Sequence, residues 1–408
     1  MKILLVNKFF FLKGGSETSF FHTAKVLKNK GHEVIYFCMS HPDNIDSHYS
    51  KYFVSQIDFE NPGSLMDQMK ASARILYSFE AQKKLDQLIE EEKPEVAHLH
   101  NIHHQISPSI LHTFKKHNVP VVMTLHDYKM VCPVYTLFSE SRICEKCTGK
   151  KYYHCFLSKC TKNSYLKSLL NMSEMYLHHS VLHSYDLVDE FISPSIFLKE
   201  KLAQMGFNRE ISCLPNLVAI EDYVPSFSWD EKAIVYFGRL SAEKGLSTLV
   251  SAMKGLDVQC KIYGDGPAKD DLERRAKHEG IENVSFLGYK PHEELKTHVQ
   301  KGMFAVLPSE WYENNPLMVI EAFALGKPVI GSRIGGIQEL VEYSKTGLTF
   351  EPGNSVELKG KILWLLNHPD KLIEMGRNAR RFVEDRCHFE CHYRELIKIY
   401  HRAMVKHR

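Results

Sequence analysis

Four charged residues in the second half of the chain have types and spacings that suit phosphate and hydroxyl chemistry. Arg239 and Lys244 bracket GRLSAEKG (238–245), a loop that follows the apolar run KAIVYFG (232–238) and enters a helical pattern. Two cations beside a helix start suit a diphosphate, arginine through paired hydrogen bonds and lysine as a point charge. A solvated surface pair would read the same. Glu313 and Glu321 are separated by seven residues in PSEWYENNPLMVIEAFALGKPVIGSRIGGIQELV (308–341). Asn315–Pro316 opens the helical run, with proline near the first turn where its missing N–H costs nothing. Glu313 therefore falls in the loop before the helix. Glu321 falls inside it, among Met318, Val319, Ile320, Ala322 and Phe323. A carboxylate in such surroundings needs partners. A ribose diol offers two hydroxyls; an Arg or Lys across a domain interface is the plainer partner.

Glycine-rich loops come next. In KGGSET (13–18), Gly14 and Gly15 let backbone approach a phosphate, and the helix start behind them offers unpaired N–H groups. A plain strand-to-helix turn would look alike, and no third glycine completes the dinucleotide fingerprint. GDGP (264–267) supplies another glycine-rich approach.

Five cysteines crowd one stretch: Cys132, Cys144, Cys147, Cys155 and Cys160. Four thiolates at such spacings suit a structural zinc, with His154 as a substitute ligand. Unliganded reduced thiols are the competing reading, and disulfides a weaker one. His98, His100, His103 and His104 also cluster. His98 and His100 share a strand face, but hydrogen bonding near a cleft is the commoner use of such histidines. Cys387, His388, Cys391 and His392 read as helix core at one-turn spacing. The stretch 162–184 is amphipathic, with Lys162 and Lys167 near its start. It suits either an ordinary packed helix or a helix resting on a membrane surface.

The elements that must position these groups repeat one grammar twice. KILLVN (2–7), EVIYFC (33–38), VAHLH (96–100) and VPVVMTLH (119–126) read as buried strands, with helical patterns over 16–30 and 107–117. The grammar restarts with KAIVYFG, VQCKIYG (258–264), NVSFLG (283–288), GMFAVLP (302–308) and PVIGS (328–332), each but the last followed by a helix. Near-continuous apolar runs separated by helices signal parallel sheets covered on both faces. The segment 215–232 is irregular and reads as a hinge, and beyond residue 354 the pattern is helical to the end. With 408 residues the chain also exceeds the ~250–300 residues at which single cores stop growing. We expect an α/β protein of two Rossmann-like doubly wound domains facing a cleft: 1–217 with a Cys-rich insertion at 132–160, 218–385, and a C-terminal helix, 386–408, returning to the first domain.

Composition adds bounds. Hydrophobic residues make up 44% and charged residues 25%, which is ordinary for a globular protein, and the net charge of +3 gives no argument for nucleic acid. No run approaches the ~18–20 apolar residues of a membrane span, and the N-terminus lacks the marks of a signal peptide. A cytoplasmic setting follows as an expectation, with the inner membrane face as the alternative.

The chain resembles family 4 glycosyltransferases, which have the two-Rossmann GT-B fold. GGSE (14–17), HDY (126–128), PN (215–216), FGRLSAEKG (237–245), YGDGP (263–267), FLG (286–288) and the Glu-to-Glu block with GKPVIGSRIGG (326–336) occur in the family's order. The resemblance implies a retaining glycosyltransferase that uses a nucleotide diphosphate sugar and a glycan or lipid-linked acceptor in polysaccharide or glycoconjugate synthesis. By it, Arg239 and Lys244 hold the departing diphosphate. Glu313 contacts sugar hydroxyls, helped by backbone N–H groups near Asn315–Leu317, and Asn315, Pro316 and Leu317 line the donor. Glu321 binds ribose, and Gly14 and Gly15 lie against phosphate. His126 faces the transferred sugar. Gly238 and Gly264 line the donor, and Gly288 borders the nucleobase. The family often carries a glycine-containing stretch where this chain has Asn314–Asn315–Pro316, so the sugar pocket is expected to differ in shape. No Asp-x-Asp occurs, so catalysis is expected to need no metal, and zinc would be structural only. A nucleotide-sugar 2-epimerase on the same architecture and a non-catalytic zinc-bearing binding protein are the alternatives; a dehydrogenase lacks its fingerprint.

Overall fold

The computed structural model describes residues 1–58 and 63–407. Its first sheet is built from β1 (Lys2–Val6), β2 (Glu33–Phe37), β3 (Val96–Leu99), β4 (Val121–Thr124), β7 (Glu190–Ser193) and β8 (Ile211–Cys213), in the order β2-β1-β3-β4-β7-β8. Every pairing in it is parallel; Leu4, for example, lies opposite Ile35 on one side and Ala97 on the other. A two-stranded hairpin, β5 (Phe138–Ser139) with β6 (Arg142–Ile143), stands apart inside the cysteine-rich insertion. The second sheet takes β9 (Ala233–Phe237), β10 (Gln259–Tyr263), β11 (Val284–Phe286), β12 (Phe304–Leu307), β13 (Val329–Ser332) and β14 (Gly347–Phe350), in the order β11-β10-β9-β12-β13-β14, again all parallel.

Burial explains why these runs become strands. β3, β4, β9 and β12 are buried along their whole lengths, as helices on both faces of a parallel sheet require. Each domain closes around its own apolar cluster. The strand orders then dictate where ligands can sit. In an open parallel sheet the crevice lies outside the carboxyl ends of the two strands where the order reverses. Those strands are β9 and β12 in the second domain, and β1 and β3 in the first.

The C-terminal helix Phe389–His407 carries an apolar stripe at helical spacing, Leu396, Ile399, Tyr400 and Ala403, buried in the first domain's core. Lys406 Nζ reaches Glu190 Oε1 on β7 at 2.7 Å. Residues 215–232 are irregular apart from a single turn at Ile220–Asp222.

Besides the β5–β6 hairpin, three strands of the two large sheets lie outside those expected from sequence. β7, β8 and β14 are only three or four residues long and mix Glu190, Ser212 or Thr349 into the apolar run. The helix expected over 107–117 begins at Ile110, because Ser107 adopts φ +80°. Cys387 and His388 do not share a helix with Cys391 and His392. They form the joint between helices Pro369–Arg386 and Phe389–His407, where Cys387 O accepts the Val218 N–H at 3.0 Å.

Candidate active site

The loop after β9 and the loop after β12 meet at the second sheet's switch point. Gly245 makes this possible: its φ is +62°, and a Cβ there would stand 2.0 Å from Pro308 O. The turn that carries Lys244 thus rests directly on the loop that carries Glu313. Lys244 Nζ donates to Glu313 Oε1 at 2.6 Å, and Ser309 Oγ donates to the same oxygen at 2.6 Å. The Trp311 ring lies 5.0 Å from the ammonium, a cation–π distance. Burial would raise the Glu313 pKa, but the Lys244 charge and the hydrogen bonds outweigh it and hold the carboxyl below its ordinary value. Glu313 is 7% exposed and Lys244 20%, so the carboxylate lies behind the ammonium. Lysine has three N–H donors and spends one here. The rest are free for an anion in the cleft.

Behind Glu313 stands the GKPVIGSRIGG segment. Gly336 N–H donates to Glu313 O at 2.7 Å, and a Cβ on Gly336 would lie 1.7 Å from Asn314 O. The three other strand-end loops interlock through their backbones. Gly238 N–H donates to Tyr263 O at 3.0 Å, Leu240 N–H to Asp265 O at 2.9 Å and Gly264 N–H to Gly288 O at 2.8 Å. Beside Gly288, Tyr289 is exposed. Arg239 is also exposed and makes no ion pair among the described residues. Across the cleft, burial raises the Tyr135 phenol and the Arg239 charge opposes the shift.

Glu321 sits in the helix Leu317–Ala324, which starts at Pro316 with no side chain capping it. No ion pair reaches Glu321 among the described residues. Burial pushes its pKa up to about 7, with the Lys296 charge and the Tyr223 hydroxyl opposing. Tyr223 OH also lies 2.9 Å from His292 Nε2. The carboxyl is half-buried, with the Tyr223 hydroxyl and no cation in contact among the described residues, a state that a further hydroxyl pair would relieve.

From the first domain, Gly14 precedes the helix Gly15–Asn29, and no side chain caps that end either. A Cβ on Gly15 would lie 3.6 Å from Leu317 Cδ1. The two uncapped helix starts therefore face each other across the cleft. His126 follows β4, and its Nε2 lies 2.8 Å from His100 Nδ1, the rings stacked at 5.1 Å. Burial drives the His126 pKa down to about 4 and that of His100 well below normal, so both rings are neutral. His100 Nε2 is buried and unpaired. The tautomer with the His100 proton on Nδ1 leaves only a lone pair unmatched there, which costs less than a stranded N–H. That proton goes to His126 Nε2, and His126 then carries its own proton on Nδ1 as a donor. Both nitrogens of His98 are taken, by Tyr400 OH at 2.8 Å and Thr124 Oγ1 at 2.7 Å.

Two profiles tile most of this chain. That of Glycosyltransferase Family 4 matches residues 13–222, and that of Glycosyl transferases group 1 matches residues 222–382. The chain belongs to glycosyltransferase family 4. Among curated relatives, α-D-kanosaminyltransferase of Streptomyces kanamyceticus is 31% identical over 156 residues, 37% of this chain and 40% of that one. D-rhamnosyltransferase WbpZ of Pseudomonas aeruginosa is 32% identical over 175 residues, 41% and 43% of the two chains. The chain thus spans less than half the length of these two relatives. An uncharacterized 42.6 kDa protein in the cps region of Klebsiella pneumoniae is 26% identical over 353 residues, 83% and 87%. Among solved structures, sucrose-phosphate synthase from Thermosynechococcus elongatus superposes with TM-score 0.73 at 19% identity, over 99% of each chain. HepE from Anabaena, in complex with UDP, gives 0.68 at 18%, over 98% of this chain and 99% of that one. The two parallel-sheet domains are the GT-B fold.

In this family 4 glycosyltransferase, several residues that hold the site carry no sequence signal. Asn314, expected to reshape the sugar pocket, spans the domain seam instead. Its amide donates to Leu125 O at 3.2 Å, and its oxygen accepts from Ser195 Oγ at 2.6 Å. Asn315 Oδ1 accepts the Asn216 N–H at 3.0 Å. Glu339 accepts the Ile196 N–H at 2.9 Å, and Tyr128 OH donates to Tyr312 O at 3.0 Å. Glu145, between Cys144 and Cys147, accepts from Tyr312 OH at 2.8 Å and from Lys201 Nζ at 2.9 Å. The insertion thereby braces the loop that carries Glu313. Lys129 and Glu174, both 1% exposed, pair at 2.5 Å and tie the long helix Tyr165–Tyr176, into which the insertion expected at 132–160 continues, to the HDY loop.

The five thiols of the insertion are free and share one neighbourhood. Cys147 and Cys155 are buried together with Tyr152 and Met175, and Cys160 packs against them. Cys155 hydrogen-bonds to Cys160, which raises the first thiol and lowers the second. Burial pushes Cys132 up to about 11 and Cys147 up to about 12. No three of these sulphurs lie within 4.8 Å of one another. Among the described residues Asp86, Glu90 and His117 make the one such set, and Asp86 is already bonded to Lys116 Nζ and His117 Nε2, each at 2.6 Å.

Proposed function

We propose that this enzyme transfers a sugar from a nucleotide diphosphate donor to a glycan or lipid-linked acceptor with retention of configuration, in polysaccharide or glycoconjugate assembly. The observation that carries the reading is the pairing at one switch point of an anion-ready Lys244 with a half-buried Glu321 that has no cation in contact among the described residues. The bond between the anomeric carbon and the phosphate oxygen breaks with its electron pair going to the diphosphate. Lys244, Arg239 and the uncapped helix starts stabilise that charge by preorganised electrostatics. The acceptor oxygen bonds to the anomeric carbon on the face just vacated, and its proton passes to a phosphate oxygen. Glu313 orients sugar hydroxyls, Glu321 accepts from the ribose diol, and His126 donates from Nδ1 to the sugar. With no Asp-x-Asp in the chain, the two cations take the part that a bridging metal plays elsewhere. HepE is described as bound to UDP-glucose, and a TarM mutant of S. aureus as bound to fondaparinux, α-GlcNAc-glycerol and UDP; ligands of these classes are the first to try here.

The same reading gives the insertion a structural zinc held by four of its five cysteines. The shared neighbourhood and the backbone N–H groups directed at the Cys132 sulphur support it. The side chains must rotate inward to close a tetrahedron with Zn–S bonds of about 2.3 Å.

A thermal-shift screen of nucleotide sugars and nucleoside diphosphates tests the function. A ligand that binds only the folded state at a hundred times its Kd stabilises by about 2.7 kcal/mol. A flat response across every nucleotide would remove the donor site and the proposal with it.

A further inference from the structure

The long helix of the insertion, Tyr165–Tyr176, is packed inside out. Its buried residues are Ser168, Asn171, Glu174 and Met175. Its exposed face carries Tyr165 at 50%, Leu166 at 79% and Leu169 at 40%. Polar groups inside find partners: Glu174 Oε2 has Lys129, Ser168 Oγ accepts the Thr161 N–H, and the Asn171 amide donates to Thr161 Oγ1 at 3.0 Å. The outward Leu166 and Leu169 are left open to solvent by the described residues.

This face continues onto its neighbours. Tyr153 and Leu157, one turn apart on the preceding short helix, are exposed as well. Phe156 and Tyr165 join the two helices, ring to ring at 5.3 Å. Helix Leu65–Leu76 packs against the long helix and exposes Met66 and Met69. An apolar area of this kind on one side of a domain marks a binding surface.

Its charge says what it binds. Between residues 146 and 173 the chain has six lysines, Lys146, Lys150, Lys151, Lys159, Lys162 and Lys167, and no Asp or Glu. None of the six makes an ion pair among the described residues, unlike Lys201, Lys244 and Lys261, each held by a glutamate. Lys159 Nζ lies 4.4 Å from the Tyr165 ring centre, which places cation and apolar face together. Exposed leucines, interfacial tyrosines and unpaired lysines on one helical surface are the features of an element lying in a lipid headgroup layer. No described helix is long and apolar enough to cross a membrane, so contact is from one side.

We propose that the cysteine-rich insertion docks this enzyme on an anionic lipid surface through the outward face of helix Tyr165–Tyr176 and its lysine rim. Because the insertion also braces Tyr312, in the loop that carries Glu313, through Glu145, docking sets the cleft at the lipid surface.

Vesicle sedimentation tests this without donor or acceptor, so its outcome is independent of the transfer reaction. The full chain should bind vesicles of equal parts phosphatidylcholine and phosphatidylglycerol, release as salt is raised, and ignore pure phosphatidylcholine. Leu166→Asp should weaken binding by about tenfold or more, and each of Lys159→Gln, Lys162→Gln and Lys167→Gln by about fivefold. These side chains are exposed, so an unchanged melting temperature is the folding control. Failure to bind the anionic vesicles, or equal binding to both kinds, overturns the proposal. So does a concentration-dependent dimer in light scattering that Leu166→Asp abolishes, because the face would then belong to a second copy.

Discussion

Glu313 and Glu321 are separated by seven residues in one loop–helix unit, and the fold leaves them in opposite states. Glu313 has Lys244 at 2.6 Å and a serine hydroxyl at 2.6 Å on the same oxygen, and stays ionised although buried. Glu321 has no cation in contact, and burial lifts its pKa to about 7. The loop can bend toward the turn after β9; Glu321 is fixed in the helix and meets Tyr223 of the 215–232 segment instead. One glutamate is finished by the protein, and the other is left for a ligand to finish. Buried charges are tolerated only with partners, so the unfinished one is the better marker of a binding site.

The comparison breaks most visibly through Lys244. Lys244→Ala removes the diphosphate's cation and also strands Glu313 as an uncompensated buried charge. We expect kcat to fall about 100-fold or more, the scale of losing a preorganised electrostatic group. Steady-state kinetics on variant protein with a parent-like circular dichroism spectrum would show it, and a near-parental kcat would place the chemistry elsewhere.

Glu321→Gln should act on binding. The proposed ribose contact would be made both before and during reaction, so KM for the donor should rise about tenfold with little change in kcat. It should also act on stability, in a defined direction. The folded-state pKa of Glu321, about 7, lies above the ordinary 4.5, so folding favours the protonated form. That contribution is complete below about pH 4.5 and is lost as pH rises through about 7, worth roughly 3 kcal/mol across the window. Urea melts at about pH 5 and about pH 8 should show the parent losing more stability than Glu321→Gln as pH rises. Parallel losses would mean that Glu321 titrates normally.

Smaller effects sharpen the picture. Glu313→Gln should shift preference among donor sugars more than it shifts nucleoside diphosphate affinity, readable as kcat/KM for two donors. Treatment with EDTA should leave turnover unchanged; complete loss restored by magnesium, but not by zinc, would contradict the role given to Arg239 and Lys244. Elemental analysis should find about one zinc, lost when Cys144 and Cys147 are both replaced by serine. Metal well below one equivalent leaves the thiols as packing groups.

The two glutamates also show what a sequence can and cannot reveal here. Their positions, one before and one inside a helix, follow from Asn315–Pro316 and the apolar run behind it. The sheets follow from uninterrupted apolar strands such as AIVYF (233–237) and FAVL (304–307). The short strands at 190–193, 211–213 and 347–350 were invisible because the parallel neighbours that stabilise them are remote in the chain. The same holds for the site's bracing. Ser195 reaches Asn314 across 119 residues and Glu339 reaches Ile196 across 143, and no local pattern announces either. The histidines of β3 and β4 were plain as letters. Their pairing needed the strand adjacency that sets His100 against His126. The inverted helix at 165–176 read only as amphipathic, because periodicity alone does not say which face is covered.

The most direct test of the central claim is a pH titration of both carboxyls by carbon NMR on selectively labelled protein, with and without a nucleoside diphosphate. Glu321 should titrate near pH 7 in the free enzyme and shift to lower pH when the ligand is bound, because the ribose hydroxyls favour its ionised form. Glu313 should stay ionised down to the acid side of the ordinary carboxylate range in both states. A Glu321 that titrates like an ordinary surface carboxyl, or that ignores the nucleotide, would contradict the account.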